Sequence, residues 1–89
     1  MLILPSDMTR AQAQACLQML VQGLPAEADA AVVVDASALE RFDSSALAVL
    51  LEFRRESLAL GKHLVIRAIP ERLRGLAQVY GIAELLPSL

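Results

Sequence analysis

Six residues near the middle of the chain, AVVVDA (residues 31–36), restrict the fold more than any other stretch. Successive side chains of a strand point to opposite faces, so a β-branched run that is apolar at nearly every position calls for cover on both. The run therefore predicts a central parallel strand with helices on both sides, reached by crossover units. HLVIRAI (residues 63–69) repeats the pattern, and MLILP is a shorter apolar strand stopped by Pro5.

Helical periodicity fills the gaps between these strands. In SDMTRAQAQACLQMLVQG the positions Met8, Ala11, Ala15, Leu20 and Gly23 fall near a helical repeat, with Ser6 or Thr9 as the cap, which predicts a helix over about 8–23. LPAEADA then reads as a polar loop. SSALAVLLEFRRESLALG predicts a helix over 44–60 closed by Gly61, and ERLRGLAQVYG a third, starting after Pro70 and ending at Gly81. The tail IAELLPSL reads as a turn or a short edge strand. The order is β-α-β-α-β-α, an α/β fold with a mostly parallel sheet and crossover helices.

Size and composition narrow the function. A chain of 89 residues is one domain, residues 1–89, small enough to bury only about 60–65% of its unfolded surface. Only Phe42, Phe53 and Tyr80 are aromatic, so the core is built from Leu, Val, Ile and Ala. A net charge of −2 with a pI near 5.2 argues against nucleic acid, which requires clustered Lys and Arg. No apolar run approaches the roughly 18–20 residues that span a bilayer, so no direct membrane insertion is expected. The first residues lack the basic and apolar segments of a signal peptide, so a cytoplasmic location is expected.

Enzymatic and metal chemistry rank last. Cys16 and His63 are the single Cys and the single His, so any nucleophile and base would come from one pair. Cys16 sits inside a helical apolar pattern, where a buried inert thiol is the simpler account, and His63 opens a strand at a partly solvated end. Without carboxylates the two leave a structural zinc site two ligands short. The four glycines are dispersed and form no phosphate loop. No cofactor is expected.

The helix from Ser44 holds the strongest candidate site. On a wheel at about 100° per residue, Val49, Leu60, Phe53, Ala46, Leu50, Leu47, Leu58 and Leu51 share an arc of roughly 200°, interrupted by Arg54 and Ser57. Covering a sheet requires a stripe little wider than about 100°. The surplus packs either on a neighbouring helix of the same domain or on a second protein, for which the small Ser45 and Ala48 permit close approach. Asp43 is a good N-cap, and Ser44 then stands in the first turn among free amide donors. An anion is well received there, although Asp43 opposes a phosphate and a phosphorylated Ser44 repels an acidic partner. Arg54, Arg55 and Glu56 read as a solvated shoulder, with Glu52 and Arg55 pairing for a few tenths of a kcal/mol. Arg67 marks a strand face or end that reaches water, and Arg72 and Arg74 could meet an acidic partner or anionic lipid.

The element order, together with VVVDASALERFDSSALAVLLEFRRESLALGKHLVIRAI, resembles the STAS domain family, found in bacterial anti-sigma-factor antagonists and in the cytosolic tails of sulfate transporters. In that family an Asp-Ser or Asp-Thr pair begins the helix after the second core strand, and in the antagonists a partner kinase phosphorylates the hydroxyl. Here the pair is Asp43 and Ser44. FDSSALAVLLEF and the terminal LRGLAQVYGIAELLPS are similar to the STAS subunit of the Mla phospholipid ABC transporter of Gram-negative bacteria. That resemblance implies a non-enzymatic cytoplasmic protein, peripheral to the inner membrane, that binds the ATPase subunit in one complex with the permease. The same resemblance implies a contribution to outer-membrane lipid asymmetry.

The implied contact comprises Asp43, Ser44, Ser45, Ala48 and Glu52, with Ser44 the candidate phosphosite under the alternative of a phosphorylation-controlled anti-sigma-factor antagonist. Ala46 stands where the family commonly has Gly, a replacement that favours the helix. The N-terminal strand region is shortened against the family, which implies either a start upstream or an exposed sheet edge through which a homodimer would form.

Overall fold

The computed structural model describes residues 1–88. Three parallel strands, β1 (Leu2–Ile3), β3 (Ala31–Asp35) and β5 (His63–Arg67), form the main sheet in the order β1-β3-β5. Two-residue strands β2 (Asp7–Met8) and β4 (Arg41–Phe42) form a second parallel pair. The helices are α1 (Ala13–Gly23), α2 (Ser44–Ala59) and α3 (Glu71–Val79), with short 3-10 turns at Leu24–Ala26 and Ala83–Leu85. The α/β class and the β-α-β-α-β-α order agree with the sequence-based expectation, to which the structure adds the short strands β2 and β4.

The expectation of helices on both faces of the sheet does not hold. Stepping from β1 to β3 to β5 moves in one direction twice, and right-handed crossovers then put α1 and α2 on the same side. Register fixes the faces: Val32 pairs with Leu64 and Val34 with Ile66, and all four are fully buried under the helices. Their neighbours Ala31, Val33 and Val65 are only half-buried, and His63, Arg67 and Ile3 are exposed on the other face. Runs apolar at every position have two explanations, cover on both sides or an outer face lined with β-branched residues that shield one another; here the second applies. Arg67 accordingly reaches solvent beside Asp35 of the next strand.

The first helix starts later than its periodicity predicts. Met8 belongs to β2 and pairs with Phe42, and neither Ser6 nor Thr9 caps α1. Thr9 instead donates from its backbone N–H and its hydroxyl to Gln12 Oε1 at 3.0 and 2.6 Å, which folds residues 9–12 into a turn. Side chains that bond their own backbone compete with helix in this way. Cys16 and Leu20 are buried, and the Cys16 thiol pKa is raised by burial, as befits an inert core group. Gly23, the last residue of α1, lies where a Cβ would come within 2.7 Å of Leu2 Cδ2, so α1 and β1 approach closely there.

The other two helices end by one device. At Gly61, φ +73, the N–H of Lys62 reaches the Ser57 carbonyl and that of Gly61 the Leu58 carbonyl. At Gly81, φ +72, Ile82 bonds Ala77 and Gly81 bonds Gln78 in the same pattern. These are Schellman stops, which require a residue tolerant of positive φ. The α3 helix ends at Val79 with Tyr80 as its C-cap, two residues short of the predicted end at Gly81. The tail is neither wholly turn nor strand: after the Ala83–Leu85 turn, Pro87 accepts from the Ile66 N–H and Ser88 bridges Ile66. β1 thus remains the open edge of the sheet, and it is only two residues long.

Candidate partner-binding site

Most of the apolar arc of α2 is used by the domain itself. Ala46, Leu47, Val49, Leu50 and Phe53 are all buried in the core, as is Ser57, whose hydroxyl donates to the Phe53 carbonyl at 2.8 Å. Leu51 is half-buried, while Leu58 and Leu60 emerge at the far end of the helix. The surplus arc therefore carries little of the case for a partner. Neighbours within the domain consume it except at Leu58 and Leu60, and in part at Leu51.

What the start of α2 leaves outside is smaller and better defined. Asp43 has the extended backbone of an N-cap, and its Oδ1 accepts the Ser45 N–H at 2.8 Å. Its Oδ2 accepts the Arg10 N–H at 3.2 Å, so one carboxylate ties the turn before α1 to the start of α2. The hydrogen bond from Ser45 is the largest cause that holds its pKa below the usual aspartate value, with Arg10 adding in the same direction against some desolvation. Asp43 is thereby committed to positioning, and Ser44, the first helical residue, is exposed beside it.

Two shallow depressions flank the exposed methyl of Ala48. One is lined by Ser44, Leu47, Ala48, Leu51, Tyr80 and Ile82. The other lies between α1 and α2, lined by Ala13, Gln14, Leu17, Ser45, Ala48 and Val49. Both are chiefly apolar with a serine at one end, a form suited to receiving side chains of another macromolecule. Glu52, one turn beyond Ala48, lines neither; it is half-buried and lies 3.8 Å from Arg55. That exposed ion pair is worth a few tenths of a kcal/mol at most.

The structure thus gathers Ser44, Ser45 and Ala48 around the depressions, with Asp43 behind them and Glu52 at the margin. Sequence reasoning missed Tyr80 and Ile82, and Ala13, Gln14 and Leu17 on α1. Tyr80 had a readable signal: a helix stopped at Gly81 exposes its C-cap and turns Ile82 back toward the domain, an apolar contact typical of the motif. The α1 residues had none, because the pairing of α1 with α2 is a tertiary fact.

The basic residues divide. Arg72 lies over the Phe42 ring, 4.5 Å from its centroid, next to the cap residue Asp43. Arg74 donates to the Ser88 hydroxyl at 3.2 Å and is held within the domain. Among the described residues no three His, Cys, Asp or Glu side chains converge, and no helix is long and apolar enough to cross a membrane.

Comparison with known proteins adds two findings. The sequence model of a family described as MlaB, STAS domain matches residues 1–87. A crystal structure of a Thermotoga maritima chain described as an anti-sigma factor antagonist superposes with a TM-score of 0.76, covering 92% of this chain and 70% of that one. The two sequences are 11% identical, so the likeness concerns the fold. No curated protein sequence matches this chain.

Proposed function

This chain belongs to the MlaB-type STAS domain family, and from that premise we propose that it is a non-enzymatic subunit of a phospholipid-transporting ABC system, binding and supporting the ATPase subunit. Domains of this family are in general binding or regulatory units rather than catalysts. The observation that carries the reading is an exposed Ser44 at the rim of one of two apolar depressions that meet at Ala48, near the start of α2. Binding there places the chain in the cytoplasm, peripheral to the inner membrane through its partner, in one complex with the permease. Its contribution is to outer-membrane lipid asymmetry.

Asp43 fixes the helix start, Ser44 and Ser45 offer hydroxyls, Ala48 permits close approach, and Tyr80 supplies a large amphipathic surface of the type that dominates interfaces. A carboxylate in place of the Ser44 hydroxyl would bring a second negative charge beside Asp43 and into a desolvated contact. Ser44→Glu is therefore expected to abolish co-purification with the ATPase subunit while the circular dichroism spectrum stays unchanged. Retained binding would refute the placement.

A second reading is a phosphorylation-controlled anti-sigma-factor antagonist, favoured by the likeness to the Thermotoga chain and by the exposure of Ser44. Incubation with the cognate kinase and ATP, followed by mass spectrometry, separates the two. Phosphate on Ser44 supports this reading, and an unmodified protein removes it. Self-association through β1 would have two residues to pair, too few for a stable strand interface.

A further inference from the structure

Between Arg10 and Glu27 the chain contains no charged residue, a gap that takes in the whole of α1. The outward faces of the other helices differ: α2 shows Glu52, Arg55 and Glu56, and α3 shows Glu71, Arg72 and Arg74. On α1 the exposed side chains include Gln14, Gln18 and Gln22, spaced one helical turn apart along one ridge, with Ala15 and a 47% exposed Met19 beside them. A helix face that only had to be wetted would carry Lys or Glu at some of these sites. Interface centres are depleted in Lys, Glu and Asp and enriched in Met.

Area points to the same face. A stable interface takes about 800 Å² from each partner, roughly 15% of the 5220 Å² this domain exposes. The exposed stripe of α2, Ser44, Ser45, Ala48 and Glu52, is too narrow to supply that alone. The depression shared by Ala13, Gln14 and Leu17 with Ser45 and Ala48 makes α1 continuous with the stripe.

We infer that the ATPase partner's footprint extends across this depression onto the uncharged face of α1, where the partner presents a surface without charges, an apolar knob for the Leu17–Ala48 hollow and neutral polar groups for Gln14 and Gln18. The inference rests on the proposed binding at Ser44. A charge on this ridge is exposed in the free domain and buried without a counterion in the complex, so it weakens binding while leaving the fold intact.

The experiment measures affinity of the purified ATPase subunit for the intact chain and for Gln18→Lys, Gln14→Glu, Ser44→Glu and, on the charged flank of α2, Glu56→Lys. Thermal melts and circular dichroism check each fold. At least a tenfold loss is expected for both Gln variants and less than threefold for Glu56→Lys. Wild-type affinity in the Gln variants alongside loss in Ser44→Glu overturns the inference and leaves the Ser44 contact standing; no loss in any variant overturns both. Sedimentation of the chain alone provides the last arm, because a dimer dissolved by Gln18→Lys would make a second copy the occupant and overturn the inference.

Discussion

The two sides of α2 share alanine and little else, and they behave in opposite ways. Its inner side presents Ala46, Leu47, Val49, Leu50 and Phe53 to the sheet and to α1, all of them buried. Its outer side presents Ser44, Ser45, Ala48 and Glu52, small or polar and at least partly open to solvent. The inner side sets where the helix lies, and the outer side then acquires a fixed position without contributing to the fold.

The sharpest test of that division is a deletion on the inner side. Phe53→Ala removes a fully buried ring from the centre of the core and should destabilise the domain by about 3–5 kcal/mol in urea unfolding. A loss under 1 kcal/mol would mean that the inner side does not hold the fold. On the outer side, Ala48→Arg should leave the unfolding free energy within about 0.5 kcal/mol of wild type, as surface changes usually do. Its effect should fall on binding, where a bulky charge between the depressions is expected to weaken the proposed ATPase complex at least tenfold. Tyr80→Ala should cost that complex about 2 kcal/mol, the scale of an interfacial aromatic anchor, with the same small effect on stability.

Asp43 lies where the two sides meet, and its loss should be felt in the fold more than an outer residue's. Asp43→Ala removes the cap of α2 and the bond to Arg10, and is expected to lower the melting temperature by about 5 °C. Its folded-state pKa lies below the unfolded value, so the stabilisation is fully present above the unfolded pKa and fades as pH falls toward the folded one. Asp35 shifts in the same direction, chiefly through the Ser37 N–H. Urea midpoints compared at pH 5 and pH 3 should therefore fall less in Asp43→Asn than in wild type. An equal fall would detach the cap from the acid response.

The smallest expected effect lies beyond both sides. Ala68, after β5, is a non-glycine residue at φ +56, a conformation that is strained for a side chain with a Cβ. Ala68→Gly should raise stability by about 0.5 kcal/mol, strain relief being partly offset by the greater freedom of glycine when unfolded. A loss of stability instead would show that the Ala68 methyl makes a favourable contact.

Several features were legible from local chemistry. The stop at Gly61, the cap at Asp43, the two five-residue strands and the bulk of α2 all follow from interactions within a few residues, which the chain order alone expresses. The start of α1 was not legible. Met8 fits the helical repeat, yet it pairs with Phe42 more than thirty positions away, and a strand pair formed at that range outweighs local periodicity. The candidate site divides in the same way. Ser44 and Ala48 were readable from one helix, whereas Tyr80 and Leu17 joined them only when three helices came together on one face of the sheet.

By itself, then, the order of residues determined the longer strands, the helices apart from the start of α1, and the exposed hydroxyl at the head of α2, because caps, stops and side-chain periodicity act over a turn or two. Only the tertiary structure decided that α1 and α2 share one side of the sheet, that Leu47 and Leu50 are spent in the core while Leu58 and Leu60 stay outside it, and which distant residues frame Ser44. Those outcomes depend on handed crossovers and on packing between segments far apart in the chain, quantities that no window of neighbouring residues contains.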